Sequence, residues 1–216
     1  MSLKACIYDL DGVITDTAHY HFLSWRWVAE QLDYTLTEKQ NQKLKGVGRK
    51  ESLDKILQWS GSRISEAEKQ NLLTRKNQMY LEHIDSMTPN EVFDGFKLFN
   101  EKAKQDGLKV AVGSSSRNTI RIIDKLDLVL AFHALVDGGM TENSKPEPDI
   151  FLLAAEKLGI APEECLVIED SQAGITAAKK ANMKCVHFGT DKGLKGAQMQ
   201  IDSWLNVDLE AFKKLF

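Results

Sequence analysis

At 216 residues with a formal charge of -3, the chain carries no long basic run, and nucleic acid is excluded as an expected partner. Apolar residues make up 43% and charged residues 27%, an ordinary balance that allows a sizeable core in one domain, or in one domain with an insertion. No apolar stretch approaches the roughly 20 residues that cross a bilayer, and no signal-peptide pattern opens the chain, so the expectation is a cytoplasmic protein with no membrane partner.

In chain order, Ala5-Cys6-Ile7-Tyr8 is a short apolar run broken by Asp9-Leu10-Asp11-Gly12, which predicts a buried strand ending in a loop. From about Thr17 to Ile84 only amphipathic helical stretches follow: Thr17 to Gln31, Thr37 to Leu44, Lys50 to Trp59 and Ser65 to Ile84. Ser65 with Glu68 forms a capping-box pattern at the head of the last. Phe22, Trp25, Trp27 and Trp59 are expected to fill the core of this helical block. Beyond Met87-Thr88-Pro89-Asn90 the pattern alternates. Helices are predicted at about 95–105, 118–126, 149–158 and 172–181, and strands at 108–112, 134–136, 165–168 and 183–187. Alternating strands and helices predict a parallel, doubly wound α/β sheet, with the helical block inserted after the first strand. The expected division is a core of residues 1–15 and 89–216 and an all-helical cap of residues 16–88. Cys6, Cys165 and Cys185 lie in or beside strand segments without CxxC or Cys/His spacing, which points to reduced, buried thiols.

Ligands of an open α/β sheet collect outside the carboxyl ends of its strands. The first strand ends in Asp9-Leu10-Asp11-Gly12 and the second in Gly113-Ser114-Ser115-Ser116; Lys145-Pro146 follows the third, and Glu169-Asp170-Ser171 closes the fourth. Four loops therefore bring two carboxylates, a hydroxyl, a lysine and an acidic pair to one rim. A calcium loop is a poor alternative, because Val13 and Thr15 stand where it needs further oxygen ligands.

These four segments, in this order, resemble the four motifs of the haloacid dehalogenase superfamily: Asp9-Leu10-Asp11-Gly12-Val13, Ser114, Lys145-Pro146 and Glu169-Asp170. The resemblance implies a Rossmann-like core with a helical cap, and residue chemistry assigns the roles. Asp9 is the expected nucleophile, forming an aspartyl-phosphate. Asp11, two residues on and on the same side, is the expected general acid and base. Ser114 is expected to bond a phosphoryl oxygen and Lys145 to pair with Asp9 and the transferring phosphate. Glu169 and Asp170, with the Asp9 carboxylate and by resemblance the Asp11 main-chain carbonyl, are the expected ligands of Mg2+. The resemblance also implies a cis Lys145-Pro146 peptide.

Within that superfamily the chain resembles the β-phosphoglucomutase family, through Ile14-Thr15-Asp16-Thr17-Ala18, Tyr20-His21-Phe22, Trp25, Leu44-Lys45-Gly46-Val47, Arg49, Ser52-Leu53, Arg75-Lys76-Asn77, Ser116, Asn118 and Glu169 to Ile175. The implied activity interconverts β-D-glucose 1-phosphate and glucose 6-phosphate through a bisphosphate; a sugar-phosphate or phosphoglycolate-like phosphatase is the alternative. A mutase must hold a second phosphate far from Asp9. Arg49, with its planar fork, suits it, and Ser116 and Asn118 are expected to help from the core. Thr17 and His21, one helical turn apart, are expected to position Asp11. Trp25, Lys45, Gly46, Ser52, Lys76 and Ser115 complete the expected substrate-binding set, in a monomer acting on a small sugar phosphate. Gly48, Ser115, Glu147 and the Asp137-Gly138-Gly139-Met140 loop depart from the family pattern, which bears on sugar preference rather than on any catalytic group.

Overall fold

The structure, a computed structural model, describes residues 2–216. Strand β1 (Ala5–Tyr8) is followed by four helices, α1 (Ala18–Glu30), α2 (Glu38–Gln42), α3 (Arg49–Ser60) and α4 (Glu66–Ile84). The alternating part then runs α5 (Phe96–Gln105), β2 (Lys109–Gly113), α6 (Thr119–Lys125), β3 (Ala134–Val136), α7 (Asp149–Leu158), β4 (Cys165–Glu169), α8 (Gln172–Lys180), β5 (Lys184–Phe188), β6 (Met199–Ile201) and α9 (Leu209–Lys213). All strand pairs are parallel, in the order β3-β2-β1-β4-β5-β6. The order reverses at β1, so the crevice of a doubly wound sheet opens at the carboxyl end of β1, where Asp9 stands.

Strand alternation sorts the core onto two faces. Cys6, Tyr8, Val110, Val112, Leu166, Ile168, Val186 and Phe188 point to one face, where α5, α6 and α9 cover them. Ala5, Ile7, Ala111, Cys165, Val167 and Cys185 point to the other, under α7 and α8. On the first face Trp204 packs edge-on or tilted against Tyr8, Phe96 and Phe99 and stacks on Phe188, and its indole N–H donates to the Val13 carbonyl at 2.8 Å. The expected elements stand within a few residues of their sequence positions. Strand β6 and helix α9 are additions, because three edge residues around Gln200 and a five-residue helix are too short to show a period. All three cysteines are buried free thiols.

The helical block builds its own apolar cluster from Trp25, Val28, Ala29, Leu36, Leu44, Leu53 and Ile56, with Phe22, Trp27 and Trp59 against it. Ser65 and Glu68 form the expected capping box of α4. The two segments joining block and sheet run side by side. Thr15 bridges to Val92, its hydroxyl donates to the Glu91 carbonyl at 2.8 Å, and the Phe93 N–H donates to Ile14 at 2.9 Å. Among the described residues no helix is long and apolar enough to cross a membrane.

Candidate active site

The end of β1 places Asp9 beside the ends of β2 and β4 in fixed register, and side chains from four loops meet there. The Lys145 ammonium, fully buried, donates to Asp9 Oδ1 at 2.6 Å and to Glu169 Oε1 at 2.7 Å, and sits 4.7 Å from the centre of the Phe151 ring. The other Glu169 oxygen accepts from the Ser171 N–H at 2.7 Å and hydroxyl at 2.8 Å, while that hydroxyl caps α8 by accepting from Gly174. The Lys145-Pro146 peptide is cis, as the sequence implied. Two glycines let the backbone come this close. Gly12 has φ +86° and a Cβ there would strike the Asp170 carboxylate; a Cβ on Gly174 would strike Glu169.

Carboxylate oxygens of Asp9, Glu169 and Asp170 lie within 4.8 Å of one another, a set of hard donors that can hold a metal ion. Their crowding is visible in their acidities. Burial drives Asp9 up to about 7 against the pull of Lys145, and Glu169 and Asp170 add to the rise. Burial and Glu169 likewise drive Asp170 up to about 7, with Lys45 opposing. For Lys145, burial works against the charge, but Asp9 and Glu169 outweigh it and hold the ammonium charged. A bound cation relieves this repulsion, so the donor set fits one.

Asp11 faces the helical block rather than the sheet. Its Oδ1 accepts from the Thr17 hydroxyl in a short contact and from the Tyr80 hydroxyl at 3.4 Å. His21 Nε2 lies 3.8 Å from the same oxygen, while the Lys76 ammonium donates to His21 Nδ1 at 2.9 Å. Burial, then the Lys76 and Arg49 charges, hold His21 well below its usual pKa, so the ring is neutral and presents Nε2–H toward Asp11. Burial, followed by the Asp9 charge, raises Asp11 to about 7, where it can exchange a proton near neutral pH. Lys76 is itself buried, lowered to about 7 chiefly by burial and next by Arg49, and lies 4.9 Å and 4.7 Å from the Trp25 and Tyr80 ring centres.

A cavity of about 560 Å³ extends from Asp9 and Asp11 between sheet and helical block, within the range of small-molecule sites. Its walls include His21, Trp25, Lys45, Gly46, Arg49, Lys76, Ser114, Ser115, Ser116 and Asn118. At the end contributed by α3 and the loop after β2 stand Arg49 and Arg117, and among the described residues neither forms an ion pair. Burial and then the Arg117 charge lower Arg49, so two cations share this wall. Block and core touch through polar contacts around the cavity. Lys45 pairs with Asp170 at 3.0 Å, Ser115 Oγ donates to the Gly46 carbonyl at 2.9 Å, and Asn118 Nδ2 donates to Asn77 Oδ1 at 3.0 Å.

Most positions singled out in the sequence thus converge on one cavity or its back wall. Ser52 does not: it is buried in α3 with its hydroxyl toward the Val47 carbonyl at 3.5 Å. Thr17 reaches the site only through Asp11. Arg117 and Tyr80 were missed. Tyr80 carried a signal, since it lies one helical turn beyond Lys76 and shares its face; Arg117 looked like any charged residue in a serine-rich loop.

A family profile described as haloacid dehalogenase-like hydrolase matches residues 3–182. The chain is 42% identical over 210 residues to β-phosphoglucomutase of Bacillus subtilis, covering 96% of this chain and 93% of that protein. It is 30% identical to a phosphorylated carbohydrates phosphatase of Thermotoga maritima, covering 86% and 84%. The crystal structure of β-phosphoglucomutase from Clostridium difficile superposes with a TM-score of 0.93 at 37% identity, covering 98% of this chain and 96% of that one. The six parallel strands, the inserted helices and these matches agree, and the chain belongs to the haloacid dehalogenase-like hydrolase family.

Proposed function

We propose that this chain is a β-phosphoglucomutase, interconverting β-D-glucose 1-phosphate and glucose 6-phosphate through an aspartyl-phosphate on Asp9 and β-glucose 1,6-bisphosphate. One observation carries the reading: groups suited to phosphate stand at both ends of the cavity, Lys145 and Ser114 beside Asp9 at one and unpaired Arg49 and Arg117 at the other. A phosphatase needs only the first. A mutase must hold one phosphate while the other reacts, and guanidinium forks suit a phosphate that is held and released without bond breaking.

In the forward half-reaction the sugar hydroxyl attacks phospho-Asp9. Asp11 takes the hydroxyl proton, the bond from phosphorus to the Asp9 oxygen breaks, and one to the sugar oxygen forms. The bisphosphate then turns over, its second phosphoryl group passes back to Asp9, and Asp11 returns the proton to the departing oxygen. Lys145, fixed on Asp9 Oδ1, stabilises the negative charge that builds in transit, and Ser114 faces the same phosphate. Thr17, Tyr80 and His21 hold Asp11 toward the substrate oxygen. Magnesium, held by Asp9, Glu169 and Asp170, would supply positive charge against repulsion between nucleophile and phosphate.

Residues 16–88 act in this reading as a cap that excludes water from phospho-Asp9, with residues 1–15 and 89–216 as the core. The Thr15–Val92 bridge, which ties the two connecting segments together, supports pivots on its cap side. The test is a coupled assay on β-glucose 1-phosphate with and without bisphosphate primer. Primer-dependent glucose 6-phosphate with little free phosphate is expected; dominant phosphate release would instead assign a phosphatase.

A further inference from the structure

Two lysines meet the acidic cluster, and they are held differently. Lys145 has no exposed side-chain surface and touches two carboxylates, whereas Lys45 is 32% exposed and touches only Asp170 Oδ2, at 3.0 Å. Lys45 belongs to the helical block, in the loop after α2, and Asp170 to the sheet rim, so this pair also ties the two together. The ammonium lies on one oxygen of Asp170, a residue of the metal-binding set. A magnesium ion held by that same carboxylate would stand near Lys45, and the two cations would repel each other.

Behind this pair lies a second cavity of about 270 Å³, which shares Ala18, Lys45 and Asp170 with the first. Its remaining walls include Asp16, His187, Thr190 and Asp191. Asp191 makes no ion pair or side-chain hydrogen bond among the described residues, and the same holds for the buried His187 ring. Lys45 and Asp191 line this second cavity together. Lys45 therefore has room, and a second carboxylate partner, on the side away from the sugar phosphate.

We propose that Lys45 is an exchangeable counter-ion: it holds Asp170 until a divalent cation binds there, then crosses the second cavity to Asp191. The move keeps the helical block tied to the core, because Asp191 follows β5 in the sheet half. Lys45 is on this account a positioning residue, and the inference rests on the metal-binding part of the proposed function.

The test is calorimetric titration of the metal-free full chain with magnesium alone. Lys45→Met is expected to bind magnesium roughly tenfold more tightly, since a competing cation is gone. Asp191→Asn is expected to weaken binding several-fold in the native background and to have no effect beside Lys45→Met, because it acts by receiving Lys45. Lys45→Gln serves as a second variant if Lys45→Met disturbs packing by near-ultraviolet circular dichroism. Unchanged or weaker binding in the lysine variants overturns the exchange. So does an equal loss from Asp191→Asn in both backgrounds, which would mean that Asp191 acts on the metal through space. Failure of the unsubstituted chain to bind magnesium overturns the metal assignment as well, whereas tight binding indifferent to Lys45 removes only this inference.

Discussion

The two ends of the cavity are built on opposite principles. At the sheet end acids and a lysine are interlocked: Lys145 lies between Asp9 and Glu169, and Ser171 occupies the remaining Glu169 oxygen. At the far end Arg49 and Arg117 line the cavity without an ion pair among the described residues, and Lys76 is buried on aromatic faces with a neutral histidine as its hydrogen-bond partner. The sheet end is organised before substrate arrives, because strand ends in register fix its loops. The far end is left electrostatically frustrated, and a phosphate dianion is what relieves it. A site of this kind reacts at one end and holds at the other.

The largest effect on this contrast should come from Asp9→Asn. Loss of the nucleophile is expected to lower turnover by about four orders of magnitude or more. The thermal midpoint without metal should not fall, since an amide replaces a carboxylate that burial and its neighbours disfavour. Substantial residual phosphoryl transfer in a steady-state assay would remove Asp9 from its role.

Next comes Arg49→Ala, expected to slow turnover of the sugar bisphosphate by about 10²-fold, as a lost bidentate phosphate contact would. Hydrolysis of acetyl phosphate, which has no second pole, should be unchanged. Equal losses on both substrates would erase the distinction between the two ends.

Lys76→Met sharpens the comparison from the stability side. With its pKa lowered to about 7, the folded-state ammonium is disfavoured relative to an unfolded-state value near 10.5. The penalty is full below about pH 7 and fades as pH rises toward 10.5, because deprotonation in the folded state is then progressively easier to meet. The variant should therefore raise the thermal midpoint most at pH 6 and least at pH 10, while turnover drops as His21 loses its partner. A gain independent of pH would show that packing rather than charge is responsible.

The smallest effect concerns the core beneath both ends. The Tyr8 ring packs against Phe96, Phe132 and Trp204, and its buried hydroxyl has no nitrogen or oxygen partner, only the Cys6 thiol beside it. Tyr8→Phe should stabilise the fold by about 1 kcal/mol, the cost of leaving a buried donor unmade, with turnover unaltered. Destabilisation in a denaturant titration would mean that the hydroxyl is bonded after all.

Sequence alone determined the inner strands of the sheet and the reactive rim. Continuous apolar runs such as Ala5–Tyr8 and Cys165–Ile168 are buried on both faces, and the residues that end them have nowhere to go but the carboxyl edge. Asp9 and Asp11 are linked by local geometry, as are Ser65 and Glu68, so two to four residues of spacing were enough. What tertiary structure decided were pairings that local spacing cannot encode. Lys45 meets Asp170 across 125 residues and Lys145 meets Asp9 across 136. Asp11 is held by Tyr80, 69 residues away, and Ser52 lies in the interior. Arg117 came to share a cavity wall with Arg49 only because the loop after β2 folds toward α3. A charge declares its sign in the sequence, but its partner depends on which surfaces the packed helices bring together, and that is a property of the closed fold.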